Sequence, residues 1–190
     1  MVTHYRKIGL IFAVLVLAGL TACSNRTEVK SDLGIKGAPD WVNEGYQALD
    51  NRDGRLFHGV GSAPKMADQS LQRSAADNRA RAEVARTLSS FMNIVAQDYS
   101  AASGDGPAAY NEQAISRQID NITHLNMSGV EIIGRWKDPR TGTVYSLAEL
   151  DMKRVKDVVA GARQMNDGFR QYIQANADNV FDRIAHGGGQ

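Results

Sequence analysis

The chain has 190 residues, 43% of them hydrophobic, with 22 Lys and Arg against 21 Asp and Glu and a formal net charge of +1. That balance excludes capture of nucleic acid by bulk charge, the single cysteine excludes an intramolecular disulfide, and the length suits one core of moderate size rather than two ordinary domains. Basic residues cluster locally, as Arg79, Arg81 and Arg86 or as Lys153, Arg154 and Lys156, but Asp77, Glu83 and Asp157 interleave with them, the pattern of solvated helix faces.

Residues 1–22 read as a lipoprotein signal peptide. His4, Arg6 and Lys7 form a basic start, Ile8 to Leu20 a mostly apolar run, and Thr21-Ala22 puts small side chains before Cys23. The run falls short of the roughly 20 residues that a membrane span needs, so cleavage after Ala22 is expected over an uncleaved anchor helix. Cys23 then takes a diacylglyceryl group as a thioether and a further chain, such as palmitate, on its freed amine; the rival is an unmodified buried thiol. Each buried methylene adds about 0.8 kcal/mol, so these N-terminal acyl chains hold the protein in a membrane. Ser24 stands where an aspartate commonly retains lipoproteins in the inner membrane, which points to the outer membrane, with the body on the periplasmic face.

Residues 23–38 are polar and aperiodic, with Gly34 and Gly37, and form a lipidated tether. Pro39-Asp40-Trp41 ends it, and Trp41 with Val42 is the first apolar group able to dock on a body. Asn43 to Arg55 carries turn formers, and Arg55 to Ala63 is a first strand with Leu56, His58 and Val60 on one face and Phe57 on the other. Asp68 caps a helix whose apolar stripe is Leu71, Ala75, Ala82, Ala85, Leu88, Met92 and Val95. Asp98 to Pro107 has loop composition, and a second helix follows with Ile115, Ile119 and Ile122 on one side. Val130–Lys137 and Thr143–Leu150, joined by Asp138-Pro139-Arg140-Thr141-Gly142, form the strongest hairpin signal, with Trp136 and Tyr145 able to pair across it.

A last helical pattern runs from about Lys153 to Ala185, and 186–190 is a flexible tail. The order β-α-α-β-β-α predicts an α+β domain over 39–185: a small three-stranded antiparallel sheet packed by two or three helices, with a long C-terminal helix. A continuous final helix would span about 50 Å at 1.5 Å per residue, against about 27 Å for an eight-residue strand. Its projecting half would then offer Tyr172, Val180, Phe181 and Ile184 as an assembly surface. The competing reading is that the helix bends at Gly161 or Gly168 and folds back.

Catalytic signals are weak. Gly59-Val60-Gly61 lacks the third glycine of a phosphate loop, since position 64 is Pro64, and glycine is equally needed where a helix crosses a strand. The mature histidines His58, His124 and His186 lack the spacing of zinc ligands. His58 could serve as a general base beside an acid, but a partly buried structural histidine is the simpler reading. Glu131, Glu149 and Asp151 flank the hairpin, where charged residues on an exposed strand face need no further cause.

Pro39-Asp40-Trp41 after a tether, Phe57-His58-Gly59-Val60-Gly61-Ser62-Ala63, the helix ending Ala80-Arg81-Ala82-Glu83-Val84-Ala85-Arg86, and Trp136 to Asp151 with Thr141-Gly142-x-Val144-Tyr145 resemble the LPP-twenty family of bacterial outer-membrane lipoproteins. The likeness spans roughly 39–157. It implies a non-enzymatic envelope component, since that family includes a flagellar lipoprotein that builds an outer-membrane disc around the motor. The expected function is therefore a lipid-anchored scaffold or assembly subunit, as a homo-oligomer or within an envelope protein complex, with no cofactor, no metal and no nucleic acid. The runner-up is a periplasmic module that regulates a cell-wall enzyme or captures a ligand.

Overall fold

In a computed structural model that describes residues 34–49, 54–103 and 112–186, three strands form an antiparallel sheet in the order β1-β3-β2. They are β1 (Leu56–Ala63), β2 (Glu131–Lys137) and β3 (Val144–Asp151). The signal peptide, Cys23, most of the tether and residues 187–190 lie outside the described residues. The register pairs Phe57 with Leu150, Gly59 with Ala148 and Gly61 with Ser146, so these share one face while Leu56, His58 and Val60 take the other, as the alternation requires. The fold is α+β, as the element order predicts.

The first face carries α2 (Gln69–Ser103), whose start is capped by Asp68: Ser70 N–H and Leu71 N–H donate to its Oδ1 at 2.7 and 3.1 Å. Gly59 and Gly61 let the helix backbone lie directly on the strand. A Cβ on Gly59 would sit 2.7 Å from Val84 N, and one on Gly61 would sit 2.6 Å from Ala76 O, contacts no side chain could relieve. The glycines therefore serve packing, the reading set against a phosphate loop.

The buried stripe of α2 differs from the expected one. Gln72, Ala76, Ala80, Val84, Leu88, Met92 and Ala96 recur at every fourth position, flanked by Phe91 and Val95, whereas Leu71 is 59% exposed and Ala82 faces solvent. Gln72 turns inward because its Nε2 donates to the carbonyls of Ala63, Pro64 and Gly142, and that sets the phase of the whole helix. Helix also continues through Asp98 to Ser103, where composition suggests a loop.

At 35 residues, α2 is about 52 Å long and overruns the sheet by about 25 Å. Its far half is covered by α3 (Glu112–Asn126), through Ile119 and Ile122, and by the C-terminal helix, giving one continuous core. A clamp of exposed Arg135 on buried Asp77 and Ser146 fixes the near half. Arg135 donates Nε and Nη2 to Asp77 at 2.9 and 2.7 Å, and Ser146 Oγ donates to the same carboxylate at 2.7 Å.

The hairpin is as the turn chemistry predicts. Gly142 has φ +74°, Asp138 N–H donates to Thr143 O at 2.9 Å, and the Asp138 carboxylate accepts from Arg140 N–H at 2.8 Å and from Thr141 Oγ at 2.6 Å. Trp136 pairs with Tyr145, ring centroids 5.7 Å apart. On the opposite face of the sheet lies the first folded segment, α1 (Asp40–Asn43) followed by a 3₁₀ turn (Gly45–Ala48): Val42 is buried, and the Trp41 ring lies over Gly134, which has no side chain to obstruct it.

The final helix is not continuous. It divides into α4 (Met152–Gly161) and α5 (Asp167–His186). Helix α4 ends at Gly161–Ala162, and Asn166 starts α5 by accepting from Phe169 N–H at 3.0 Å. The long C-terminal helix exists, but it folds back instead of projecting. Gly168 permits this, because the Tyr99 hydroxyl occupies the place of its missing side chain. Phe169, Ile173, Ala177 and Val180 form one buried stripe on the main core. Arg55 fastens the end of α5 through two bonds to Asp182, at 2.8 and 2.6 Å, and Lys156 binds Asp178 at 2.9 Å. Among the described residues no helix is long and apolar enough to cross a membrane.

Candidate functional site

The expected assembly stripe belongs largely to the core. Val180 is 2% exposed, and Tyr172 and Phe181 pack against the core cluster, so of the four residues Tyr172, Val180, Phe181 and Ile184 only Ile184, at 45%, is an exposed side chain. The cause is the break after Gly161: once α5 reverses, its apolar stripe meets α2 instead of solvent.

What remains open is a groove of about 520 Å³ beside β1, which is an edge strand of the sheet. Its floor is an aromatic trio. Phe57 lies edge-on to Phe91 and to Phe181 at centroid distances of 5.3 Å, and Phe91 to Phe181 at 6.1 Å. Ile94 from α2, Ile184 from α5 and Tyr46 from the 3₁₀ turn, the last 51% exposed, also line it. Arg86, Thr87 and Ser90 add a polar border. Large apolar side chains brought together at an open surface mark a contact site better than the same residues scattered. Tyr46 carries no sequence signal, since it sits in a turn-rich stretch with no periodicity. Phe57, Phe91 and Phe181 are far apart in sequence and meet only through the fold.

His58 lines the same groove and is buried, with Nε2 2.9 Å from Glu149 Oε2. His58 thus has an acid beside it, and the strand register alone explains it, because His58 stands opposite Glu149. Glu131 stands opposite Glu149 on the other side and is exposed. Asp151 caps α4 instead, accepting from Lys153 N–H at 2.8 Å. Of the nearby hydroxyls, Thr87 Oγ donates to Glu83 O at 3.0 Å, so it is turned toward its own helix and not toward His58. His124 lies exposed in the last turn of α3, far along the chain from the groove's residues. Among the described residues no group of three or more His, Cys, Asp or Glu is placed to hold a metal ion.

The chain matches no family model, and no curated protein matches it either. The likeness to the LPP-twenty lipoproteins therefore rests on the residues themselves.

Proposed function

We propose that this chain is a lipid-anchored outer-membrane lipoprotein that acts as a non-enzymatic scaffold or assembly subunit, and that its protein contact is the groove beside β1. The groove is the observation that carries this reading. Tyr46 and Ile184 leave about half of their surfaces in water at a groove with an aromatic floor, and burying a large apolar side chain is worth about 1.5–3 kcal/mol when complete. Aromatic anchors at the centre of a patch with a polar border are the usual anatomy of a protein contact. The occupant is an apolar segment of another copy of this chain, held at the same membrane by the acyl chains on Cys23. Tethering supports such a contact by raising the local concentration of copies, so that weak pairwise affinity suffices.

Replacing Tyr46 and Ile184 with aspartate tests this. Both side chains are rim residues, so the far-ultraviolet dichroism should be unchanged while the sedimentation coefficient of the detergent-extracted protein falls. A double variant that keeps its oligomeric state would count against the groove.

A further inference from the structure

A second cavity, of about 220 Å³, opens where the start of α2 meets the edge strand β2. It is lined by Gln69 and Arg73 of α2, by Arg135, Trp136 and Lys137 of β2, and at its base by Gln72 and Val144. Gln69, Arg73 and Asp77 stand at successive fourth positions of the helix, and Arg135 and Lys137 stand two apart on the strand, so both rows face one another. In a chain whose charges balance overall, three cationic side chains line this cavity and no carboxylate does among the described residues.

The charges are not equivalent. Asp77 takes Nε and Nη2 of Arg135, neutralising that guanidinium and fixing its plane, which leaves Nη1 as its free edge. Neither Arg73 nor Lys137 forms an ion pair with a described residue, so two positive charges stand uncompensated. The acids adjoining these elements in sequence, Asp68 and Asp138, are occupied. Asp68 caps α2, which also satisfies the first helical amides, and Asp138 is buried in the hairpin turn. Gln72, bonded to three carbonyls, and Trp136, tilted against Tyr145, form the remaining wall.

We propose that this cavity binds a phosphate ester. A phosphate monoester carries close to two negative charges and a diester one, each with several acceptor oxygens, which suits two free cations flanking an oriented guanidinium edge. The Trp136 indole beside them offers an apolar flank for the carbon skeleton of the ester. This site is separate from the groove and stands whether or not the scaffold reading holds. The ester is either a phospholipid-type diester headgroup or a soluble monoester, and the test distinguishes them.

The purified protein is titrated calorimetrically with glycerophosphoglycerol, glycerol 3-phosphate and inorganic phosphate at constant low ionic strength. Saturable binding is expected, weakened at least about 10-fold in the Arg73→Gln, Lys137→Gln double variant, which loses two charge-assisted contacts. A control variant, Lys153→Gln with Arg163→Gln, has the same net charge and should bind as the parent does. Both substituted positions in the test variant are exposed, so its dichroism should match the parent's. Tighter binding of the diester assigns a lipid headgroup, and tighter binding of the monoester or of inorganic phosphate assigns a soluble ligand. No saturable binding of any probe, or equal weakening in the control variant, overturns the proposal.

Discussion

Phe181→Ala separates a core residue from a surface one on the same helix. Its ring meets Phe57 and Phe91 edge-on, at 5.3 and 6.1 Å, and packs against the main core while one side faces the groove. Full burial of a phenylalanine makes its truncation cost about 3–5 kcal/mol, and edge-to-face pairs add about 0.5–1.5 kcal/mol each beyond area. Partial burial scales the first figure down, so about 2–3 kcal/mol is expected in total. With a urea m-value of about 2 kcal/mol/M, the midpoint should fall by about 1–1.5 M. Ile184→Ala, on the rim and touching less, should cost under about 1 kcal/mol and move it by less than about 0.5 M. Urea titrations followed by dichroism at one protein concentration compare the two directly. If Phe181→Ala shifts the midpoint no more than Ile184→Ala does, α5 is not held on the core as described, and the projecting-helix reading returns.

Three further variants have defined outcomes. Gly142→Val should destabilise by about 1–3 kcal/mol, because Gly142 sits at φ +74°, where a β-branched residue is strained; an unchanged urea midpoint would contradict the turn. The Arg135 guanidinium, helped by the Ser146 hydroxyl, holds the Asp77 carboxyl below the usual range, so its stabilisation is present above about pH 4 and is lost as pH falls through the depressed value. Asp77→Asn should therefore cost stability at neutral pH, with the gap to the parent closing below about pH 4; a gap of constant size in urea unfolding across that range would refute it. Cys23→Ser should abolish incorporation of labelled palmitate while residues 39–185 keep their fold, and label in that variant would defeat the lipidation reading.

The hairpin was the most legible element, because Pro139, Gly142 and the carboxylate of Asp138 encode a local turn that needs no distant contact. Strand β1 is legible in its faces and in its glycines, since the need for glycine where a helix crosses a strand is met at Gly59 and Gly61; which helix residues lie on them emerges only from the fold. The stripe of α2 is legible in its far half, where Leu88, Met92 and Val95 are buried, and not in its first turns, where Leu71 is apolar yet exposed and Gln72 polar yet buried because tertiary hydrogen bonds outweigh hydrophobicity there. The break between α4 and α5 is legible as the competing reading from Gly161 and Gly168, while the Asn166 cap is concealed by the apolar stripe on either side. Neither the groove nor the basic cavity could be read from periodicity. Each gathers residues from separate elements, so their positions become related only after the sheet and helices have packed.

The proposed assembly runs through the groove beside β1, to which α5 contributes Phe181 and Ile184, and not through a projecting helix. Sedimentation velocity of the detergent-extracted parent across a micromolar concentration series tests it most directly. The account predicts species larger than a detergent-bound monomer, shifting to the monomer only on dilution or when Tyr46 and Ile184 are both aspartate. A monomer at every concentration, with the lipid intact, would contradict it.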